Sequence, residues 1–497
     1  MVGLKDWSGR LVVVGAVAGL LALSSGCGGT EDNDDRPSGT SGGGSGGEGV
    51  SGAHSAGGGA APVAGTAGSG GDAGAGGMDV TEGGTGGESG SSGEGGSGPE
   101  PRVFEPIASI PADKIDLLFM IDNSISMEDK QELLRSALPL LVQRLITPAC
   151  VDASGAPVGT HAREDGTCSQ GEPEFRPIRD IHIGVVTSSL GAHGGDICTA
   201  LSPPGSAHED DKAHLIPSVR PGLSSWNDMG FLAWDPDGDR NDPPGTADAA
   251  ELVDGFSDMV AAVDNLGCGY EASLEAWYRF LVDPDPPSGV RRGASFNEIT
   301  YPDETTLAQR AAFLRADSLV GIVILSDEND CSIVDEGQGF LVSLQSINSA
   351  TFRMPRATSV CATDPNDPCC LSCAVASPSG CNVAADPECA LGELSAEEDH
   401  MNLRCFDHKR RFGFDLLYPI ERYLNGLTRV QIPNRDGELV PNPLFAPDSE
   451  GRSRDLSRVF VTGIVGVPWQ DVADAASLED PRHLRYLSAQ ELTDQDR

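Results

Sequence analysis

Within the stretch LLFMIDNSISM, residues 117–127, an apolar run stops at Asp122, and Ser124 and Ser126 follow at alternate positions. One carboxylate and two hydroxyls at that spacing are hard oxygen donors, the kind that a divalent cation such as Mg2+ or Ca2+ takes. A plainer chemistry competes. Ser126 would cap a helix, with Asp129 at the third helical position in a capping-box-like arrangement. The two roles are compatible.

A second acid closes a second apolar run, SLVGIVILSD, at Asp327, and Glu328 and Asp330 follow it. These acids read either as further oxygen donors or as a solvated turn. Between the two runs, Gly267-Cys268-Gly269-Tyr270-Glu271 opens a helical stretch. Glu271 is a donor candidate there, and equally a first-turn acid favoured by the helix dipole. Thr187, closing the run DIHIGVVT, offers a further hydroxyl. DPDGDRND, residues 235–242, alternates acids around a glycine, but no Glu stands at the twelfth position of a calcium loop, so an acidic turn is the other reading.

The elements that must carry these residues alternate. Apolar strand-length runs at 115–122, 180–187, 318–327 and 458–466 are continuous rather than alternating, which suits strands covered on both faces. Helical spacing falls at 127–146, from about 251 to 266, at 271–282, 305–315 and 411–427. Leu133, Leu134, Ala137, Leu141 and Leu145 lie on one side of the first helix, which Pro139 should kink or divide. Strand–helix alternation predicts an α/β fold with a doubly wound, mostly parallel sheet, whose ligands sit at the carboxyl ends of the strands.

With that setting, Asp122-x-Ser124-x-Ser126 resembles the DxSxS motif of the von Willebrand factor type A family, whose fold is Rossmann-like. Asp327 resembles the acid that ends the family's fourth strand. The likeness covers about 250 residues of α/β core. It implies a metal-ion-dependent adhesion site, with Mg2+ foremost and Ca2+ or Mn2+ as alternatives, that engages a protein or cell-surface ligand through an acidic side chain of the partner. The family supplies a threonine from the loop before its third helix, and no threonine stands at 267–271. Glu271 or Thr187 would replace it. Otherwise the site is degraded and the protein is a structural scaffold of the envelope.

The N-terminus points to export. Lys5 and Arg10 precede the apolar run LVVVGAVAGLLAL, and SSGC follows, which resembles the lipobox of bacterial lipoproteins with Cys27 as the lipidated residue. Residues 1–26 then form a signal peptide, with cleavage near Ser25 as the competing reading. By the same resemblance, Gly28 in place of an aspartate directs the chain to the outer membrane, lipid-anchored and facing the periplasm or the cell surface. Nearly half of the 63 glycines fall between Gly28 and Glu100. Residues 27–101 therefore read as a disordered Gly/Ser-rich tether with a root-mean-square span of roughly 50 Å. Residues 102–497 hold the type A-like domain, with insertions at about 188–250 and 329–405. The last fifteen residues show no closing element, which suggests a further segment.

Of 13 cysteines, setting Cys27 aside leaves an even 12, as a disulfide framework in an exported chain requires. Zinc is the alternative for the cluster at 369–389, although its spacing fits no common module. Cys198, Cys268 and Cys331 fall in predicted loops near the site, where disulfides would brace the metal ligands. The net charge of -41 argues against nucleic-acid binding and against attraction to anionic lipid heads. An enzyme is the rival class. There is no GxSxG elbow with an ordered acid and histidine behind it and no HExxH, and a haloacid-type phosphatase would need an aspartate where Ser124 stands.

Overall fold

The continuous apolar runs do become strands of one sheet. In the computed structural model, which describes residues 113–163, 165–199, 208–466, 473–479 and 485–487, five strands pair in the central sheet. They are β1 (Lys114–Ile121), β2 (Asp180–Thr187), β3 (Leu232–Trp234), β4 (Leu319–Ser326) and β5 (Val459–Val465). Their order is β5-β4-β1-β2-β3, parallel except for the antiparallel edge strand β3. The expected mixed α/β class and mostly parallel sheet are therefore present. The expected signal peptide of 1–26 and tether of 27–101 lie outside the described residues.

Both faces of the sheet are covered by helices. Phe119 and Ile121 of β1 pack with α1 (Glu128–Ile146) and α2 (Ala249–Val263), and Phe119 meets the Phe256 ring at 4.9 Å. Leu118 and Met120, on the opposite pleat, pack with α3 (Ser273–Leu281), with Phe313 of α4 (Glu304–Phe313) and with Tyr423 of α5 (Ile420–Thr428). Alternate side chains of a strand point to opposite faces, so a strand buried on both must be apolar throughout. That is why these runs lack alternation.

Several expectations change. Pro139 neither divides nor ends α1, which runs uninterrupted through it. Its buried stripe is Gln131, Leu134, Leu138 and Val142, and Leu133 is instead exposed. Leu133 lines an apolar groove of about 940 Å³ between α1 and the β4–β5 face of the sheet. The single helix expected over 411–427 is two, His408–Phe412 and α5, separated at Gly413, whose φ of 79° no β-carbon tolerates well, and at Pro419. The insertion at 188–250 contains β3, which its polar surroundings hid.

All twelve cysteines pair: Cys150–Cys168, Cys198–Cys268, Cys331–Cys405, Cys361–Cys370, Cys369–Cys381 and Cys373–Cys389. The zinc alternative for the 369–389 cluster is excluded, because each of its thiols is consumed in a disulfide. Among the described residues, no helix is long and apolar enough to cross a membrane.

Candidate functional site

Register brings the candidate residues together. Ile121 pairs with Thr187 on one side and Leu325 on the other, so the next residues, Asp122, Ser188 and Ser326, emerge side by side at the carboxyl edge. β1 is the strand at which the chain order reverses, with β2 to one side and β4 to the other. In open α/β sheets, ligands commonly bind outside the strand ends at such a switch point.

There the side chains form a closed circuit. Ser326 Oγ donates to Asp122 Oδ2 at 2.7 Å, and the Ser124 N–H donates to Asp122 Oδ1 at 2.8 Å. Ser124 Oγ and Ser126 Oγ lie 3.1 Å apart, and Ser126 Oγ donates to Asp327 Oδ1 at 2.9 Å. The helix-cap reading of Ser126 is not what the structure builds. α1 starts at Glu128 behind a 3-10 turn over Ile125–Met127, and neither start has a side-chain cap. Met127, not Ser126, occupies the N-cap.

A second layer fixes this loop. Gln131 Nε2 donates to the Asp122 carbonyl at 3.0 Å and to the Asp264 carbonyl at 2.9 Å. Asn123 Oδ1 accepts from Ser189 Oγ at 2.8 Å and from Ser188 Oγ at 3.3 Å, and Ser188 Oγ also lies 3.4 Å from Asp122 Oδ1. The Gly267 N–H donates to the Asn123 carbonyl at 2.8 Å, and a β-carbon at 267 would sit 2.3 Å from the Asn123 side chain. The Cys268 N–H donates to Ser189 Oγ at 2.8 Å. Cys268 is bridged to Cys198, and the Cys331 N–H donates to the Glu271 carbonyl at 2.8 Å, so disulfide-bonded residues are stitched directly onto the site loops.

Acidic charge accumulates here. Burial pushes Glu271 up to about 8, aided by the charges of Asp122, Glu328 and Asp327. Burial also raises Asp122 against its serine hydrogen bonds, with the Asp327 charge adding to the rise. Glu328 is raised by burial and then by Asp327 and Asp122. The nearest counter-charge is Lys130, whose Nζ lies 3.1 Å from Asp327 Oδ2 and 2.9 Å from Asp129 Oδ1.

Not every candidate joins this cluster. Thr187 Oγ1 donates to Asp211 Oδ2 at 2.7 Å, and Asp211 is held by both terminal nitrogens of Arg220 at 2.7 and 2.9 Å. Its hydroxyl serves that buried pair, and the next residue, Ser188, reaches Asp122 instead. Asp330 accepts from the Leu274 N–H at 2.8 Å and anchors the start of α3. Glu271 precedes α3 and its N-cap Ala272, so it is not a first-turn acid. In the 235–242 turn, the Asp235 carboxylate accepts backbone N–H groups of Gly238, Asp239, Arg240 and Asn241. Asp237 pairs with Arg179 at 2.5 Å. This segment is a self-satisfied acidic turn.

Among the described residues, no group of three or more His, Cys, Asp or Glu side chains is placed to hold a metal ion. The converging donors are of another kind, serine hydroxyls and two carboxylates, which is a set suited to a hard cation that retains some of its water. Burial is the first cause of the raised values of Asp122, Glu271 and Glu328, and the neighbouring carboxylates add to it. No protein-family model, curated protein or solved structure matches the chain.

Proposed function

We propose that the protein is an exported lipoprotein, anchored at the outer membrane through Cys27, whose von Willebrand type A-like domain binds a protein or cell-surface ligand through a divalent cation, Mg2+ foremost. The observation that carries this reading is the circuit from Asp122 through Ser124 and Ser126 to Asp327, closed by a hydrogen bond between Ser126 and Asp327, 201 residues apart. When bound, the cation supplies an open coordination position for a carboxylate of the partner. Ser124 and Ser126 would hold it through their hydroxyls and Asp122 and Asp327 through their carboxylates, with Glu271 in place of the family's threonine. Ser326 and Ser188 orient Asp122, while Gln131 and Asn123 fix the loop that presents the serines. The proposed reading is a binding protein.

A second reading rests on Lys130. Its ammonium already pairs with Asp327, which would suit a scaffold whose site is held by an internal cation. Thermal unfolding with added Mg2+ separates the two. A cation that binds only the folded chain stabilises it by about 2.7 kcal/mol at a hundred times its Kd. The adhesive reading predicts a rise in Tm with Mg2+ that Asp327→Ala abolishes, and the scaffold reading predicts none. Palmitate labelling of the cells checks the anchor, and the label should disappear with Cys27→Ser.

A further inference from the structure

Away from the strand-end cluster, the apolar groove of about 940 Å³ beside α1 is walled from three directions. Leu133, Ala137, Leu141 and Leu145, spaced four apart along one side of α1, form the first wall. Leu117 of β1, Val323 of β4, and Phe460 and Ile464 of β5 form the second. The third comes from a small sheet of Ala149–Val151, Pro157–His161 and Glu172–Pro173, from which Cys168, Pro173 and Phe175 reach the groove. The Cys150–Cys168 bridge closes this piece, and the Ile178 N–H donates to the Leu145 carbonyl of α1 at 3.0 Å. Polar groups gather at the ends. Lys130, where α1 starts, is paired with Asp327 and Asp129. Where α1 finishes, Arg144 Nη2 donates to Glu174 at 2.6 and 2.7 Å. Arg176 and Glu172 are exposed on the groove's rim, and Arg176 has no ion-pair partner among the described residues.

We propose that this groove binds a long-chain fatty acid, its alkyl chain laid between α1 and the sheet and its carboxylate held by Arg176. The proposal goes beyond the cation-binding reading and does not depend on it. Small-molecule sites of about 300–1,000 Å³ commonly combine apolar walls with a few polar groups that fix orientation. Water gains little between such walls, so an alkyl chain that displaces it is favoured. The groove follows the strands, and from Leu319 to Leu325 β4 extends about 20 Å, which suits a slender unbranched ligand over a compact one. Arginine takes a carboxylate in a bidentate pair, and Arg176 is free to do so. Glu172 on the same rim repels a head that carries two negative charges, which favours a carboxylate over a phosphate monoester.

The test uses the full, disulfide-bonded chain and displacement of a fluorescent fatty acid by palmitate, laurate or methyl palmitate, with and without Mg2+. Palmitate should bind at one site per chain in either condition. It should bind at least about tenfold tighter than laurate, since each buried methylene is worth about fourfold. Methyl palmitate on the parent chain, and palmitate on Arg176→Gln, should each bind about three- to tenfold more weakly. Leu133 is 48% exposed, so Leu133→Asp should abolish palmitate binding and leave the unfolding midpoint near that of the parent. Ala137→Phe, which fills the same wall, should also abolish it. No palmitate uptake by the parent, or uptake that both groove variants retain, would overturn the site. Equal affinity for palmitate and its methyl ester would overturn the role of Arg176. Uptake of dipalmitoyl phosphatidylcholine from vesicles in place of palmitate would give the groove to a phospholipid and overturn the fatty acid.

Discussion

Asp122 shows how far a buried carboxylate depends on its neighbours. It is fully buried, and its two oxygens are divided between Ser326 on one side and the Ser124 N–H on the other. Burying a carboxylate is tolerated only when such partners satisfy it. Ser326→Ala should therefore cost about 1–3 kcal/mol of unfolding free energy in a urea titration, the usual penalty for a buried polar group left short of a partner. A Ser326→Thr variant, which keeps the hydroxyl, should recover most of it. Gly267 is tested by the smallest change available. Gly267→Ala places a methyl group 2.3 Å from the Asn123 side chain, so the loop must shift, and cation affinity should fall at least tenfold while the far-UV spectrum of the sheet is retained. The sequence displayed Asp122, Ser124, Ser126 and Asp327 because motif and strand end coincide there. Ser188 and Ser326 were hidden, since recognising them needs the pairing register, and a register error of one residue exchanges Thr187 for Ser188.

At the scale of elements, loops and insertions carry what the sheet cannot. The Cys198–Cys268 bridge spans 70 residues and joins the segment after β2 to the loop before α3. In the chain-entropy account, closing a loop of that size is worth about 4 kcal/mol, although strain and residual structure commonly reduce the gain. Replacing both cysteines by serine should lower stability by on the order of 2–4 kcal/mol, and should weaken cation binding under conditions where the sheet remains folded. Unchanged cation affinity in that variant would show that hydrogen bonds alone hold the loop. The short helix after the cysteine-rich insertion carries a pH-sensitive group, His408, which lies buried with Nδ1 accepting the Leu416 N–H at 3.1 Å. Burial lowers its pKa from 6.5 to about 4. The unfolded chain therefore takes up the proton first on acidification. Stability contributed by this group is complete above about pH 6.5 and is lost as pH falls toward 4, by up to roughly 3 kcal/mol. His408→Gln should flatten that slope in unfolding titrations between pH 7 and 4. Strand positions were legible from continuous apolar runs, whereas β3, three residues long inside a polar stretch, and the break at Gly413 were not. Short elements owe their form to neighbours rather than to their own periodicity.

For the molecule as a whole, the parallel sheet follows from four apolar runs separated by helical spacing, and the helices on both faces follow from the need to bury each pleat. The insertions could be located by composition, but the pairing of twelve cysteines could not be deduced from their order. On the proposed reading, a divalent cation binds at the switch point of the sheet, between Asp122, Ser124, Ser126 and Asp327. That is the central claim, and calorimetric titration of Mg2+, Ca2+ and Mn2+ into the oxidised chain, beside the Asp122→Ala, Ser124→Ala double variant, tests it most directly. The account predicts one site per chain in the parent protein and none in the variant. Titrations that release no heat of binding in either, or that show the same uptake in both, would contradict it.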